Sequence, residues 1–507
     1  MKMHELLERN ASRAPEKTFL FSESRSITNK EASDVVQKAA SGFHSLGVKK
    51  GDRVLIFAPN SIDFVLAMFA CFELGAIAAC IDVLDLPSYH KNVKRLAPKI
   101  VISTCEYIGE LKKSYSRAEF ISFDDEKESK HSWKRLLTDR KRTTQPGFGQ
   151  NALCHLSFTS GTTYEPKPAV LSHEPTVRAT RCIAERLGLT REDTTIGVTT
   201  LSSSHILVYG ILPQMHRATT IGIMESWDPA EAWKMINESQ VRLISGTSIR
   251  LSELADYAKE HGVDKGSLRL TLSGGSAGIG KIREKWEDLG VDFVETYGMS
   301  ELGGSVAMSY PRPCESRPIK PFDNVPAIGP PLPDKEVKIV DERGREVPVG
   351  TPGEILITGG FMWGYWRMPK ETAKASRGGW LHTSDVGFMD EFDNVYWLAR
   401  KTDVIHTERG PIYPRVIEET LFAHESVRQA SVVGLGESGH QAPVGFVALF
   451  EGKSANEEEL LSHCRSVLSQ EFWPSSIVIK SSFPMTPTGK IDKKQFKQER
   501  VNVRVNS

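Results

Sequence analysis

The alternation of apolar and polar positions divides the chain into short strands and amphipathic helices in a repeating order. Val54–Ala58 reads as a strand, Phe64–Leu74 as a helix, Ala76–Ile81 and Ile100–Ser103 as further strands, and Leu153–Phe158 as another. Short apolar runs separated by helical patterns predict βα units and a largely parallel sheet. Between Asp124 and Gly149 the chain turns charged and polar, and a subdomain boundary is placed there. Candidate strands at Thr219–Met224, Val241–Ser245, Leu268–Ser273 and Asp292–Glu295 then form a second α/β layer. From Gly329 to Ala399, the short strands Glu336–Val340, Glu354–Thr358 and Val395–Leu398 are broken by Gly, Pro and Asp turns, which predicts a small β-rich subdomain. The remainder has its own periodicity, as in Ile417–Leu421, Ala430–Gly434 and Gly445–Phe450, and reads as an α+β unit with a modest core of its own. The fold class is therefore α/β multidomain.

A length of 507 residues agrees with several domains, since single cores stop growing near ~250–300 residues. Lys plus Arg and Asp plus Glu number 64 each, and no basic tract stands out. That balance points away from nucleic acid and anionic membranes and toward small-molecule chemistry. Seven scattered cysteines with no Cys-x-x-Cys pair suggest reduced thiols in a cytoplasm. The N-terminal segment is charged and amphipathic rather than signal-like, and no apolar run is long enough to span a bilayer.

Candidate chemistry begins after Phe158. Thr159, Ser160, Thr162 and Thr163 offer hydroxyl donors, Gly161 lets backbone amides approach an anion, and Lys167 adds a mobile positive charge. The same composition also makes ordinary turns. Tyr297-Gly298-Met299-Ser300-Glu301 follows a candidate strand, at the carboxyl end where open α/β sheets bind ligands. One carboxylate there, Glu301, suits Mg²⁺ beside phosphates; a Gly turn with a surface Glu is the alternative. Asp385 is placed in a turn, where it could accept from a ribose diol, and Arg400 follows the next strand. Near the C-terminus, Pro484 to Asp492 forms a rigid turn presenting Lys490.

In this order the motifs resemble the adenylate-forming superfamily of acyl- and aryl-CoA ligases, peptide-synthetase adenylation domains and luciferases. The resemblance runs from Leu74-Gly75-Ala76 through Ser273-Gly274-Gly275-Ser276-Ala277 and Gly353-Glu354-Ile355 to Gly489-Lys490-Ile491-Asp492. It implies a large N-terminal domain, residues 1–400, of two α/β subdomains plus the β-rich one, and a small mobile C-terminal domain, residues 401–507. A carboxylic acid would attack the α-phosphate of MgATP, giving an acyl-adenylate and pyrophosphate, and CoA would then take the acyl group. By the family pattern Thr159, Ser160, Gly161, Thr162, Thr163 and Lys167 hold phosphates. Gly274, Gly275 and Ser276, with Glu295, Thr296, Tyr297, Gly298, Met299 and Ser300, frame adenine and the α-phosphate. Glu301 holds magnesium, Asp385 and Arg400 hold ribose, and Lys490 bridges the carboxylate and the adenylate oxygens. His205 falls where the family gates the acyl pocket; it could equally be a hydrogen-bonded core His or a general base.

Some positions depart from the pattern. Tyr164 and Pro168 stand where glycines are usual, Ser384 and Ala399 replace glycines before Asp385 and Arg400, and Thr402 occupies the hinge. Where the family reads Lys-x-x-Gly-Phe, this chain has His406 to Pro411. Arg409 would crowd a pantetheine path unless the loop uses Gly410. This keeps open an amide synthetase that passes the adenylate to an amine acceptor. Gly274-Gly275-Ser276-Ala277-Gly278 also fits a Gly-x-Ser-x-Gly elbow, leaving a serine hydrolase with Ser276 as nucleophile as a remote alternative. A non-catalytic protein that keeps the fold is a further one. No Walker, His-Glu-x-x-His or Gly-x-Gly-x-x-Gly motif is present.

Overall fold

Helix Ile62–Leu74 is apolar on almost every face, with buried residues from Ile62 to Leu74 except Asp63 and Glu73. A helix of that kind needs cover all round. It has it, because one apolar cluster joins Phe64–Phe72 to Val54, Ile56 and Ile100 of one sheet and to Leu20, Ile221 and Ile223 of a second. Ser61 caps the helix by accepting from the Phe64 amide, and Gly75 ends it in the left-handed region at φ 65°. The computed structural model describes residues 1–124, 131–138, 147–159, 166–275, 277–310, 319–485 and 491–498.

The first sheet has eight strands in the order Gly364–Tyr365, Pro168–Ser172, Leu153–Phe158, Ile77–Cys80, Arg53–Phe57, Ile100–Ser103, Glu119–Ser122 and His131–Ser132. The strands from Leu153–Phe158 onward in that order are parallel, and the two at the Gly364 end are antiparallel. Strands on both sides of the polar stretch 124–149 thus share one sheet, so no subdomain boundary falls there. The described residues of that stretch belong to the same layer, with His131–Ser132 paired to the sheet and Trp133 and Leu136 buried in its core.

The second sheet runs Gly304–Met308, Asp292–Met299, Leu270–Gly274, Leu243–Gly246, Thr194–Val198, Thr220–Ile223, Thr18–Phe21 and Ser26–Thr28. Its interior pairs are parallel, as the βα rhythm predicts, and its outermost strands are antiparallel. Glu336–Val340, Gly353–Thr358, Ser376–Arg377, Trp380–Met389 and Val395–Arg400 form the five-stranded β-rich unit. Beyond it, Val427–Leu435, Ala442–Leu449 and Ser476–Ile479 make a three-stranded sheet carrying helices Pro414–Ala423 and Glu457–Val467. This C-terminal unit does not keep its core to itself. Tyr413, Val416 and Ile417 share one cluster with Phe322, Phe388 and Leu398 of the preceding chain. Among the described residues no helix is long and apolar enough to cross a membrane, and the six described cysteines are free thiols.

Several histidines are packed into this interior. Burial pushes His4, His155 and His216 down from 6.5 to about 4 and His173 to about 3, with neighbouring positive charge adding to the effect on His4, His173 and His216. A folded state that refuses protons which the unfolded chain accepts loses stability as pH falls. The stabilisation is complete above about pH 6.5 and is lost as pH drops toward 4. Unfolding midpoints should therefore fall steeply between pH 6.5 and pH 4; a flat profile over that range would contradict the burial of neutral imidazoles.

Candidate active site

The carboxyl ends of the two sheets meet where Ser300 Oγ donates to the Phe158 carbonyl at 3.2 Å. Thr159 follows directly and faces Lys167: the Thr159 amide donates to the Lys167 carbonyl at 3.0 Å, and the Lys167 amide donates to Thr159 Oγ1 at 3.0 Å. Lys167 Nζ lies 4.7 Å from the centre of the Tyr365 ring. The Tyr365 hydroxyl donates to Glu301 Oε1 at 2.6 Å, and burial, followed by the Glu301 charge, holds that phenol well above its ordinary range. Thr159, Lys167, Ser300 and Glu301, read from sequence as one constellation, are brought together here.

Asp385 and Arg400 form the other half. They are direct partners across antiparallel strands, and Arg400 Nε lies 3.1 Å from Asp385 Oδ1. Asp385 is buried in strand Trp380–Met389 and not in a turn. The reason is local: Ser384 adopts φ 59°, a left-handed backbone that glycine accepts more easily, and this kink disturbs the alternation that would have revealed a strand. The Asp385 carboxylate also accepts from Tyr297 Oη at 2.7 Å and from Trp397 Nε1 at 2.9 Å. Tyr297 is kept protonated by burial and by the adjacent Asp385 charge, while Asp385, with smaller contributions from Tyr297 and Glu301, holds the Arg400 guanidinium above its usual value. Tyr297, bonded to Asp385, precedes Glu301, bonded to Tyr365, by four residues of chain, which joins the two halves.

Other expected residues sit around this cleft in different roles. Glu295 is buried, and both of its oxygens face guanidinium groups, with Arg415 at 3.0 Å and Arg283 at 3.4 Å. Thr296 Oγ1 donates to Tyr209 Oη at 3.1 Å, so this residue faces away from Asp385. Gly298 is required by packing, since a Cβ there would lie 2.7 Å from both Tyr209 Oη and the Gly304 carbonyl, and at Gly274 one would lie 1.8 Å from the Thr296 carbonyl. Gly275 is exposed and Met299 is half-buried. The His205 ring lies 4.7 Å from the Tyr209 ring, one residue from Ser204, whose Oγ is 3.5 Å from Ser300 Oγ. Ser160, Gly161, Thr162, Thr163, Ser276 and Lys490 lie outside the described residues. The chain on either side of Lys490 is described: Met485 and Ile491 pair antiparallel, and Lys497 Nζ donates to the Thr402 carbonyl at 3.2 Å, beside the expected hinge.

Sequence reasoning missed Tyr365, Trp397 and Arg415. Arg415 is the most consequential of these. It is fully buried at the start of helix Pro414–Ala423 and binds Glu295 at 3.0 Å, Glu419 at 2.9 Å and the Trp397 carbonyl at 3.2 Å. Burial opposes its charge, and the two carboxylates more than offset that, so its pKa stays above the ordinary value. One side chain of the C-terminal unit is thereby tied to the strand that carries Tyr297 and to the residue that orients Asp385. A Pro opening a helix at Pro414 was the only local signal.

The chain belongs to the AMP-binding enzyme family, whose description matches residues 7–366, and the AMP-binding enzyme C-terminal domain matches residues 416–490. It is thus an adenylate-forming ligase, which sets aside the hydrolase reading of Ser276. A feruloyl-CoA synthase of Amycolatopsis sp is 26% identical, with 97% of each chain covered. The fold is shared with an anthranilate CoA ligase in complex with anthranoyl-AMP, at TM-score 0.89, 21% identity, and 98% and 96% of the two chains covered. It is also shared with an O-succinylbenzoate coenzyme A synthetase from Bacillus subtilis in complex with ATP and magnesium ion, at TM-score 0.84, 22% identity, and 97% and 99% covered.

Replacing Arg415 by Met leaves Glu295 and Glu419 buried without their common partner. The expected loss of stability is about 3–5 kcal/mol, read as a lowered unfolding midpoint, and Glu295→Gln in the same chain should recover part of it. A loss below about 1 kcal/mol would show that the network is not the tie described.

Proposed function

We propose that the protein activates a carboxylic acid with ATP, releasing pyrophosphate, and transfers the acyl group from the adenylate to CoA. The observation that carries this reading is the pairing, in one cleft, of an oriented Asp385–Arg400 ion pair with Glu301 and Lys167. Asp385 has three of its acceptor directions occupied by Tyr297, Trp397 and Arg400. A carboxylate has about four such directions, so one remains for a ribose hydroxyl. Thr159 and Lys167 hold the phosphates by hydroxyl and charge.

The donor set fits magnesium, which takes one or two carboxylates plus phosphate oxygens and keeps its waters. Glu301 would hold it, and when bound the ion neutralises phosphate charge. The carboxylate of the acid attacks the α-phosphorus; a new phosphorus–oxygen bond forms, and the bond to the pyrophosphate oxygen breaks with its electron pair. Two anions must meet, so most of the rate comes from cations placed where charge builds up. Lys490, on a C-terminal domain of residues 401–507 that moves relative to residues 1–400, supplies one at the carboxylate. In the second step a base, with His205 the candidate, takes the thiol proton, sulfur attacks the acyl carbon and AMP departs.

The acceptor segment supports CoA. Gly410 has φ 127° and nothing within 4 Å of where a Cβ would stand, so open backbone is available one residue after Arg409. The amine acceptor stays as a second reading because Arg409 itself departs from the family pattern.

Acid-dependent exchange of labelled pyrophosphate into ATP tests the first step. Lys490→Ala should lower exchange by at least about 10²-fold while ATP binding persists; undiminished exchange would refute the role of Lys490. Thioester formation when CoA is added supports the transfer step, whereas amide formation with an amine and no thioester would replace it.

A further inference from the structure

We propose that the acid taken by this site is short, compact and polar, because the space that would receive a long acyl tail is filled by the protein itself, with Tyr209 as its floor. The inference rests on the adenylating role proposed above and names the class of acid it serves.

On that reading the acid sits beside Ser300, whose Oγ lies 3.5 Å from Ser204 Oγ, and a tail running past the neighbouring His205 ring meets Tyr209, whose ring lies 4.7 Å from it. Helix Ile206–Ile211 is pressed onto that face. Its approach depends on missing side chains on the sheet: Ile206 Cδ1 would lie 2.0 Å from a Cβ on Gly197, and Tyr209 Oη would lie 2.7 Å from one on Gly298. In each case the glycine's vacant side-chain volume is taken by Ile206 or Tyr209. Both residues are buried, as are Ser245 and Thr296 opposite them.

The floor is also fastened. Thr296 Oγ1 donates to Tyr209 Oη at 3.1 Å, Thr296 Oγ1 and Ser305 Oγ lie 2.5 Å apart, and Gln214 Nε2 donates to the Tyr209 carbonyl at 2.8 Å. Breaking these bonds to admit a tail would leave buried polar groups unpaired. Above the floor the character changes. Ser204, His205, Thr247 and Ser300 are partly exposed and line the rim with hydroxyls and an imidazole. A compact acid bearing a second polar group matches those donors and acceptors. A long alkyl chain matches none of these four described side chains, and a site that cannot bury methylenes forgoes the roughly fourfold gain that each would bring.

The test is kcat/KM in acid-dependent pyrophosphate exchange for propionate, lactate, octanoate, laurate and ferulate. The wild-type protein should favour lactate over propionate, and both over octanoate, laurate and ferulate by at least tenfold. Tyr209→Ala should raise the value for octanoate at least tenfold, whereas Tyr209→Phe, which keeps the ring, should retain the short-acid order. Wild-type preference for octanoate, laurate or ferulate overturns the assignment and leaves the adenylating role standing. Exchange with none of the acids counts against the adenylating role. Should Tyr209→Ala fail to fold, the wild-type order of acids decides the question alone.

Discussion

A carboxylate buried as deeply as Asp385 is tolerable only when its charge is fully met, and the cleft is organised around meeting it. Its three partners come from different parts of the chain: Tyr297 from the second sheet, Trp397 from the β-rich unit and Arg400 from the point where the C-terminal unit begins. Trp397 and Arg400 lie on the same strand of the β-rich unit, so the carboxylate joins that unit to the second sheet. Tyr297 stays a donor because burial and the neighbouring negative charge keep its proton on. Arg400 is held beside Asp385 by strand register, and it also donates to the Thr383 carbonyl at 3.1 Å. The rest of the site follows from this placement, since Ser300 and Glu301 form a short 3-10 turn directly after the strand that carries Tyr297.

The C-terminal unit enters the same system by a second route. Arg415 meets Glu295 two residues before Tyr297 on the strand, and its guanidinium lies 5.6 Å from the Trp397 ring, whose indole nitrogen holds Asp385. Position of the C-terminal unit and geometry around Asp385 are linked through buried charge. Such networks are weak stabilisers relative to apolar packing but costly to break singly. In this protein the cost falls on any displacement that pulls Arg415 from Glu295 without offering the carboxylate another partner.

Much of the fold was legible because alternation is a local signal. Leu153–Phe158 and Glu336–Val340 lie where their apolar runs place them, and most other strands shift by only a residue or two at their ends. Strand Thr18–Phe21 was not legible, as its parallel partner Thr220–Ile223 is distant in the chain and nothing local encodes that pairing. Asp292–Met299 continues beyond its apolar run because Gly304–Met308 folds back along it. In the site, the residues singled out by motif are Thr159, Lys167, Glu301, Asp385 and Arg400, and the fold sets them in two neighbouring groups. Residues whose role depends on tertiary approach could not. Tyr365, Trp397, Tyr209 and Arg415 look in sequence like ordinary aromatic or surface positions, and only the crossing of strands and helices turns them into donors, walls and ties. Glu295 shows the converse, a motif residue whose carboxylate is spent on Arg415 and Arg283.

The central claim is that oxygen of the acid becomes bonded to the α-phosphorus of ATP within the Asp385–Arg400–Glu301 cleft. Turnover of an acid labelled with ¹⁸O in both carboxyl oxygens, followed by mass spectrometry of the nucleotide and phosphate products, tests it most directly. The account requires a single ¹⁸O in AMP and none in pyrophosphate. Label in pyrophosphate or inorganic phosphate, or unlabelled AMP, would contradict it.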